Sequence, residues 1–272
     1  MNDMVRPLAL RWPRLVGLLP LLLPVLAGAQ MTIQPKPLSP AEVGIVYNQE
    51  QAMTFRAYPR GLALGMYRGD IKTYYRTSFY HLELGYIKHH KEVRQSNEIA
   101  AILRGGGEET PRPYIYGKQN SLYALRAGYG IKRYYSEKAR RKGLAVGVIY
   151  QGGFTLGMLK PYYLRLIKRL DNNVPQIVNE RYSEANADLF LDPFSIYGGG
   201  PFTSGIRELR FIPGLHGMAA VHFAFGAFDE YVMALDAGLM VDVFPRRVPI
   251  MVEDNKPYFL NLFLNLHIGK RK

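Results

Sequence analysis

FLNLFLNLHIG, Phe259 to Gly269, decides the reading of this chain. Leu260, Leu262, Leu264, Leu266 and Ile268 fall on every second residue. Asn261, Phe263, Asn265, His267 and Gly269 fill the places between. A period of two belongs to a β-strand whose faces meet different surroundings. A lipid phase on one side and a narrow polar interior on the other would demand this pattern.

The same alternation recurs upstream. Leu62, Leu64 and Met66 share a face. Tyr80, Leu82, Leu84 and Tyr86 oppose His81, Glu83 and Gly85. Tyr123, Leu125, Ala127, Tyr129 and Ile131 oppose Ala124, Arg126, Gly128 and Gly130, and Leu144, Val146, Val148 and Tyr150 oppose Ala145, Gly147 and Gln151. Phe211, Leu215, Val221 and Phe223 oppose Arg210, His216 and His222, and Tyr231, Met233, Leu235, Leu239, Val241 and Val243 oppose Asp236 and Asp242. With an opening strand over residues 43–58, about eight strands result. A soluble barrel alternates as well, with its apolar face inward. The other face separates the two cases. It holds Gly, Ala, Asn, His and a few opposite charges, types suited to a cramped, hydrogen-bonded interior rather than to a solvated surface.

The connections are lopsided. Short turns are expected near residues 71–77, 134–141 and 226–229. Long loops are expected over 88–118, 155–205 and 245–255, with one tight turn near 59–61 on that side. Short turns at one end and long loops at the other mark outer-membrane barrels. The tyrosine pairs at 74–75, 134–135 and 162–163 are expected to form interfacial belts.

The first residues read as an export signal. Arg6, Arg11 and Arg14 precede an apolar stretch over 15–26, and Ala27-Gly28-Ala29 offers a small-residue cleavage site. The expected organisation is a signal peptide over 1–29 and a barrel domain over 30–272. There is no cysteine, which excludes disulfides, thiolate zinc sites, a cysteine nucleophile and a lipoprotein anchor. The formal net charge is +13. Export disfavours nucleic acid as its explanation and favours an anionic membrane surface.

YYRTSFYHLELGYIKHHKEVRQS (74–96), YGKQNSLYALRAGYGIKRYYSEKARRKG (116–143), FGAFDEYVMALDAGLMVDVFPRRVPIM (225–251) and YFLNLFLNLHIGKRK (258–272) resemble small outer-membrane β-barrel proteins of Bacteroidota, the PorT-like, OmpA-type barrel group. The resemblance implies an eight-stranded fold and an outer-membrane location. It implies no catalytic residues, because such proteins are mostly without an assigned activity. One departure is the end of the chain, Gly269-Lys270-Arg271-Lys272, where many such barrels carry a terminal aromatic residue.

Four places could carry chemistry. The inward face collects His81, Glu83, Arg126, Arg210, His216, His222, Asp236, Asn261, Asn265 and His267. An eight-stranded barrel is just wide enough for side chains, so a self-satisfied polar plug is the first reading and a small-ligand or proton site the second. The loop KHHKEVRQS holds His90, Glu92 and Ser96, the residue types of a Ser–His–Glu hydrolase, without a nucleophile elbow. RYSEANADLFLDPF is expected to hold a short helix with Ser183 as N-cap, and to place Asp188 and Asp192 on one face. SIYGGGPFTSG is expected to be flexible or turning. The basic turn EKARRKG and the terminal GKRK are expected to be a solvated turn and tail, or a contact for phosphate-bearing head groups.

The expectation is an all-β chain: a closed antiparallel up-and-down transmembrane β-barrel of about eight strands with long extracellular loops and both termini periplasmic. No cofactor and no metal are expected. The expected role is a non-enzymatic structural or accessory one, docking to an envelope complex such as secretion or barrel-assembly machinery. The expected partners are outer-membrane lipid and lipopolysaccharide, that complex, and no nucleic acid. The alternatives are an enzyme acting on lipid A acyl chains and a small-ligand binder using the lumen.

Overall fold

The computed structural model describes residues 47–73, 75–96, 111–135, 144–169, 175–225 and 230–272. The leader, residues 43–46 of the opening strand, the basic turn over 137–143 and the 226–229 turn lie outside the described residues.

Thirteen strands follow in chain order among the described residues: β1 Gln49–Tyr58, β2 Gly61–Thr73, β3 Arg76–Ile87, β4 Arg94–Gln95, β5 Tyr114–Ile115, β6 Asn120–Tyr134, β7 Ala145–Pro161, β8 Tyr163–Arg169, β9 Pro175–Arg181, β10 Ile196–Gly199, β11 Arg210–Ala224, β12 Tyr231–Val243 and β13 Tyr258–Arg271. Eight of them close an antiparallel barrel in the order β1-β2-β3-β6-β7-β11-β12-β13. Closure is made by β13 on β1, with Glu50 opposite Arg271 and Ala57 opposite Leu264. The first and last strands therefore meet at one end, where Asn48 N donates to Lys272 O at 2.9 Å. We call this the terminal end and the opposite one the loop end.

The expected alternation is realised strand by strand. In β13 the burial pattern switches at nearly every residue, with Leu260, Leu262, Leu264 and Ile268 exposed and Asn261, Phe263, Asn265 and His267 buried. Met53, Phe55, Leu64, Met66, Leu82, Leu84, Phe154, Leu215 and Leu239 are likewise exposed on the outer wall. Charged outward positions are confined to the rims: Arg68, Asp70, Arg76, Arg133 and Lys270 toward the terminal end, and Lys160 toward the loop end. Aromatic rings gather toward both ends. Tyr80 and Tyr129 meet at 5.4 Å toward the terminal end, and Tyr86 and Tyr123 at 5.2 Å toward the loop end.

Several expectations need correction. Tyr134 is not part of an outer belt; it is buried inside the barrel, while Tyr135 is exposed. Tyr162 lies at the loop end, with its hydroxyl accepting from Ile115 N at 3.2 Å. Strand β7 continues past residue 155 to Pro161, paired with β6 to its end and with β11 as far as Leu159. Arg210 keeps inward parity but stands exposed at the mouth of the barrel. The terminal GKRK is no frayed tail: β13 runs through Arg271, which is buried.

The 162–209 connection builds a small subdomain. A three-stranded sheet, β10-β8-β9, buries Leu164, Leu166, Phe190 and Ile196 with Tyr114. The expected helix is present as a 3-10 turn, Glu184–Asn186, followed by one α-turn, Ala187–Phe190, with Ser183 at the N-cap. IYGG, expected to be flexible or turning, is instead strand β10, buried throughout. Asp192 caps a turn, accepting from Phe194 N and Ser195 Oγ, and is occupied there rather than paired with Asp188.

The loop end is plugged. Phe244, Val248, Ile250 and Met251 of the β12–β13 connection join Ile87, Ile115, Leu122, Leu159 and Ile212 in one buried apolar cluster. Gln119 N and Asn120 N donate to Ile250 O at 2.8 and 3.1 Å, and Asn255 Oδ1 accepts from Ile250 N and Met251 N.

Candidate functional site: the barrel lumen

Strand register brings the inward polar residues into rows across the wall. Glu83, Arg126 and Thr155 stand side by side on β3, β6 and β7. Arg56, Asn265, Asp236 and His222 form a second row across β1, β13, β12 and β11. Pairing strands antiparallel with a period of two points every member of a row into the lumen.

Three clusters result. At the terminal end, Glu50 is the acceptor: Lys132 and the Tyr67 hydroxyl donate to Oε1, and Arg271 Nε donates to Oε2 at 2.9 Å. Lys132 Nζ also lies 5.1 Å from the Tyr67 ring centre. Toward the loop end, Glu83 bridges Arg56 at 2.8 Å and Arg126 at 2.6 Å. Arg126 grips Asp242 with both Nε and Nη2 at 2.8 Å. Thr155 Oγ1 lies 3.1 Å from His216 Nδ1, and His216 Nε2 lies 3.0 Å from His81 Nε2. The third cluster centres on Asp236. Its Oδ1 meets His222 Nδ1 at 2.5 Å, and its Oδ2 meets His267 Nε2 and Asn265 Nδ2, the latter at 3.1 Å. Tyr134 Oη closes the row 3.2 Å from His222 Nε2.

The expected lumen residues His81, Glu83, Arg126, His216, His222, Asp236, Asn261 and Asn265 are therefore all buried inside the barrel, and all but Asn261 belong to these clusters. Sequence reasoning missed Glu50, Arg56, Lys132, Thr155 and Arg271. Parity was the available signal: Glu50 and Arg56 share it with Ala52 and Tyr58, and Lys132 shares it with Arg126. Buried charge of this density persists only when paired, and the register supplies each partner from a neighbouring or facing strand.

One small cavity, about 10 Å³, lies among Thr54, Arg56, Tyr67, His81, Gln151 and His267. That is room for one water molecule. Arg56 Nε, His81 Nδ1, Gln151 Nε2 and His267 Nδ1, on residues that line it, make no hydrogen bond. Thr155 and His216 have the spacing of a hydroxyl and a general base, but neither lines this cavity.

The other candidate, His90–Glu92–Ser96, is dispersed over different partners. Glu92 Oε2 accepts from Lys118 at 2.6 Å, with both side chains buried, and Glu92 Oε1 accepts from His89 N. His90 Nε2 contacts Asp254 Oδ2 at 3.0 Å. Ser96 is exposed. Burial lowers the Lys118 pKa, against the opposite pull of Glu92, and burial lowers that of His89. His89 Nε2 donates to Asp254 O at 3.0 Å while its Nδ1 accepts from Lys91 N, an arrangement only the neutral ring can make. These residues tie the first long loop to the plug. No protein-family model matches the chain, and no curated protein matches it.

Proposed function

We propose that this chain is an integral outer-membrane β-barrel with a non-enzymatic structural or accessory role, docking to another envelope protein or complex through its loop end. The observation that carries the reading is the inverted distribution of polarity. The wall exposes Leu, Met and Phe between two charged and aromatic rims, and the interior holds the ion pairs. Such a wall is costly in water and suited to lipid, where a closed barrel leaves no backbone group unpaired. With the outer wall in lipid, the short-turn end that carries both termini faces the periplasm, and the plugged, long-loop end faces outward toward lipopolysaccharide.

Docking is the reading of the loop end because that end is built rather than loose. The β8–β10 subdomain has its own core and presents Phe194 and Phe202, 78% and 69% exposed. The resemblance to barrels of Bacteroidota makes secretion or barrel-assembly machinery the natural host. A lipid-modifying enzyme is disfavoured by the separate commitments of His90 and Glu92, and an organic ligand in the lumen by the cavity's size.

The test is a detergent pull-down of tagged protein from native outer membranes, with mass spectrometry, for the full chain and for a chain lacking residues 170–200. A stoichiometric envelope partner that is lost with the deletion is expected. A full-length chain that fractionates away from the outer membrane, or that emerges without a partner, overturns the membrane or the docking part respectively.

A further inference from the structure

We propose that His222, Asp236, His267 and Asn265 form a binding site for one first-row divalent metal ion inside the barrel. The first three offer one ligand atom each, His222 Nδ1, His267 Nε2 and an Asp236 carboxylate oxygen, all within 4.8 Å of one another and all buried. Two imidazoles and a carboxylate, with no thiolate in the chain, suit borderline ions such as Zn²⁺, Fe²⁺ or Co²⁺.

With Asp236 ionised, the hydrogen bonds of the cluster leave one conflict that such an ion would resolve. His267 Nε2 faces both Asp236 Oδ2 and Asn265 Nδ2, the latter at 2.8 Å. Facing the carboxylate requires a proton on that nitrogen; facing the amide N–H requires a lone pair. Exchanging the amide O and N of Asn265, an assignment made from such networks, places two acceptor oxygens 3.1 Å apart at Asp236 Oδ2. With the carboxylate ionised, every tautomer and amide orientation leaves one repulsive contact. A central cation removes it, because all four groups then turn lone pairs toward the ion. Ligand atoms about 2.0–2.2 Å from one tetrahedral ion stand roughly 3.3–3.6 Å apart, so the groups about the amide, at 2.8 and 3.1 Å, would open by a few tenths of an ångström to admit it.

Three further observations point the same way. Asn265 is 1% exposed, yet its Oδ1 makes no hydrogen bond; turned inward it becomes the fourth ligand. The lumen's other carboxylates each meet a cationic side chain: Glu50 meets Lys132 and Arg271, Glu83 meets Arg56 and Arg126, and Asp242 meets Arg126. Asp236 meets imidazoles and an amide instead. His222 Nε2 is left to donate to Tyr134 Oη, the outer partner that a metal-bound histidine ordinarily has.

The test uses untagged full-length chain, unfolded with a chelator and refolded in detergent with Zn²⁺ or Co²⁺, and then desalted. Gel mobility with and without heating reports barrel closure, and elemental mass spectrometry reports bound metal. About one equivalent of zinc is expected in the wild type and in His90→Ala, and below about a tenth in Asp236→Asn and His267→Gln. His90→Ala removes the separate rim group of His89, His90 and Asp254. Metal-free closed wild type overturns the proposal, as does zinc that survives Asp236→Asn and His267→Gln or that disappears with His90→Ala. If the lumen variants do not close, the cobalt spectrum of the wild type decides. Intense visible bands of four- or five-coordinate cobalt are expected, and the weak spectrum of hydrated cobalt overturns the site.

Discussion

At the residue scale, the lumen is governed by the cost of burying charge. Arg126 is fully buried and serves two carboxylates, with a bidentate grip on Asp242 and a single bond to Glu83. Arg126→Met leaves both acids short of a partner. We expect a loss of roughly 3–5 kcal/mol, read as a shift in the urea midpoint of the closed barrel by gel mobility. The exposed pair Lys168–Glu180, at 3.3 Å, has the same chemistry in a different solvent. Lys168→Met is expected to change stability by under about 1 kcal/mol. Equal effects at the two sites would contradict the burial argument. Steric limits act at the same scale. The Phe79 ring lies over Gly130, where an added Cβ would stand 2.3 Å from Phe79 Cζ. The glycine of that inward face is a socket for a neighbour's ring.

At the scale of the element, the plug and the first long loop act together. His89 is the joint, holding Asp254 O and Lys91 N as a neutral ring. Burial lowers its pKa in the folded chain. The folded state therefore binds that proton less readily than the unfolded one, and the contribution to stability is present above the unfolded value and lost as pH falls from there through the lower folded value. Acidification from about pH 7.5 to about pH 5 spans the ordinary histidine value of about 6.5. We expect residues 248–254 to lose hydrogen-exchange protection over that interval, after correction for intrinsic rates. His89→Gln tests the assignment, because its amide can still donate to Asp254 O but does not titrate. An unchanged pH response in that variant would rule out His89 as the joint.

For the whole molecule, closure of β13 on β1 decides what each face of the wall can meet. Closure leaves no free edge among the eight strands and turns every apolar outward residue into outer surface. Leu262 stands near the middle of β13, 64% exposed. With lipid outside, Leu262→Lys is expected to cost roughly 2–4 kcal/mol in unfolding from bilayers. With water outside, the same change would be neutral or favourable. A neutral result in lipid vesicles would remove the membrane reading for the whole barrel.

The alternating pattern was sufficient for the strand count of the barrel, for which face turns inward in every barrel strand but the first, and for the unequal connections, because a two-residue period is a local property that survives in the sequence. It also placed the histidines of the lumen, from His81 to His267. It did not reveal that Glu50 meets Lys132 and Arg271, that Arg126 spans Glu83 and Asp242, or that His90 and Glu92 part company. Those pairings join residues as many as 221 positions apart, Glu50 and Arg271 among them. Distance along the chain carries no information about a facing strand; register and closure do. Tyr134 and Arg271 looked like surface residues for the same reason. Only the closed wall, by setting which side chains share the narrow interior, decided that they had to be inside and paired.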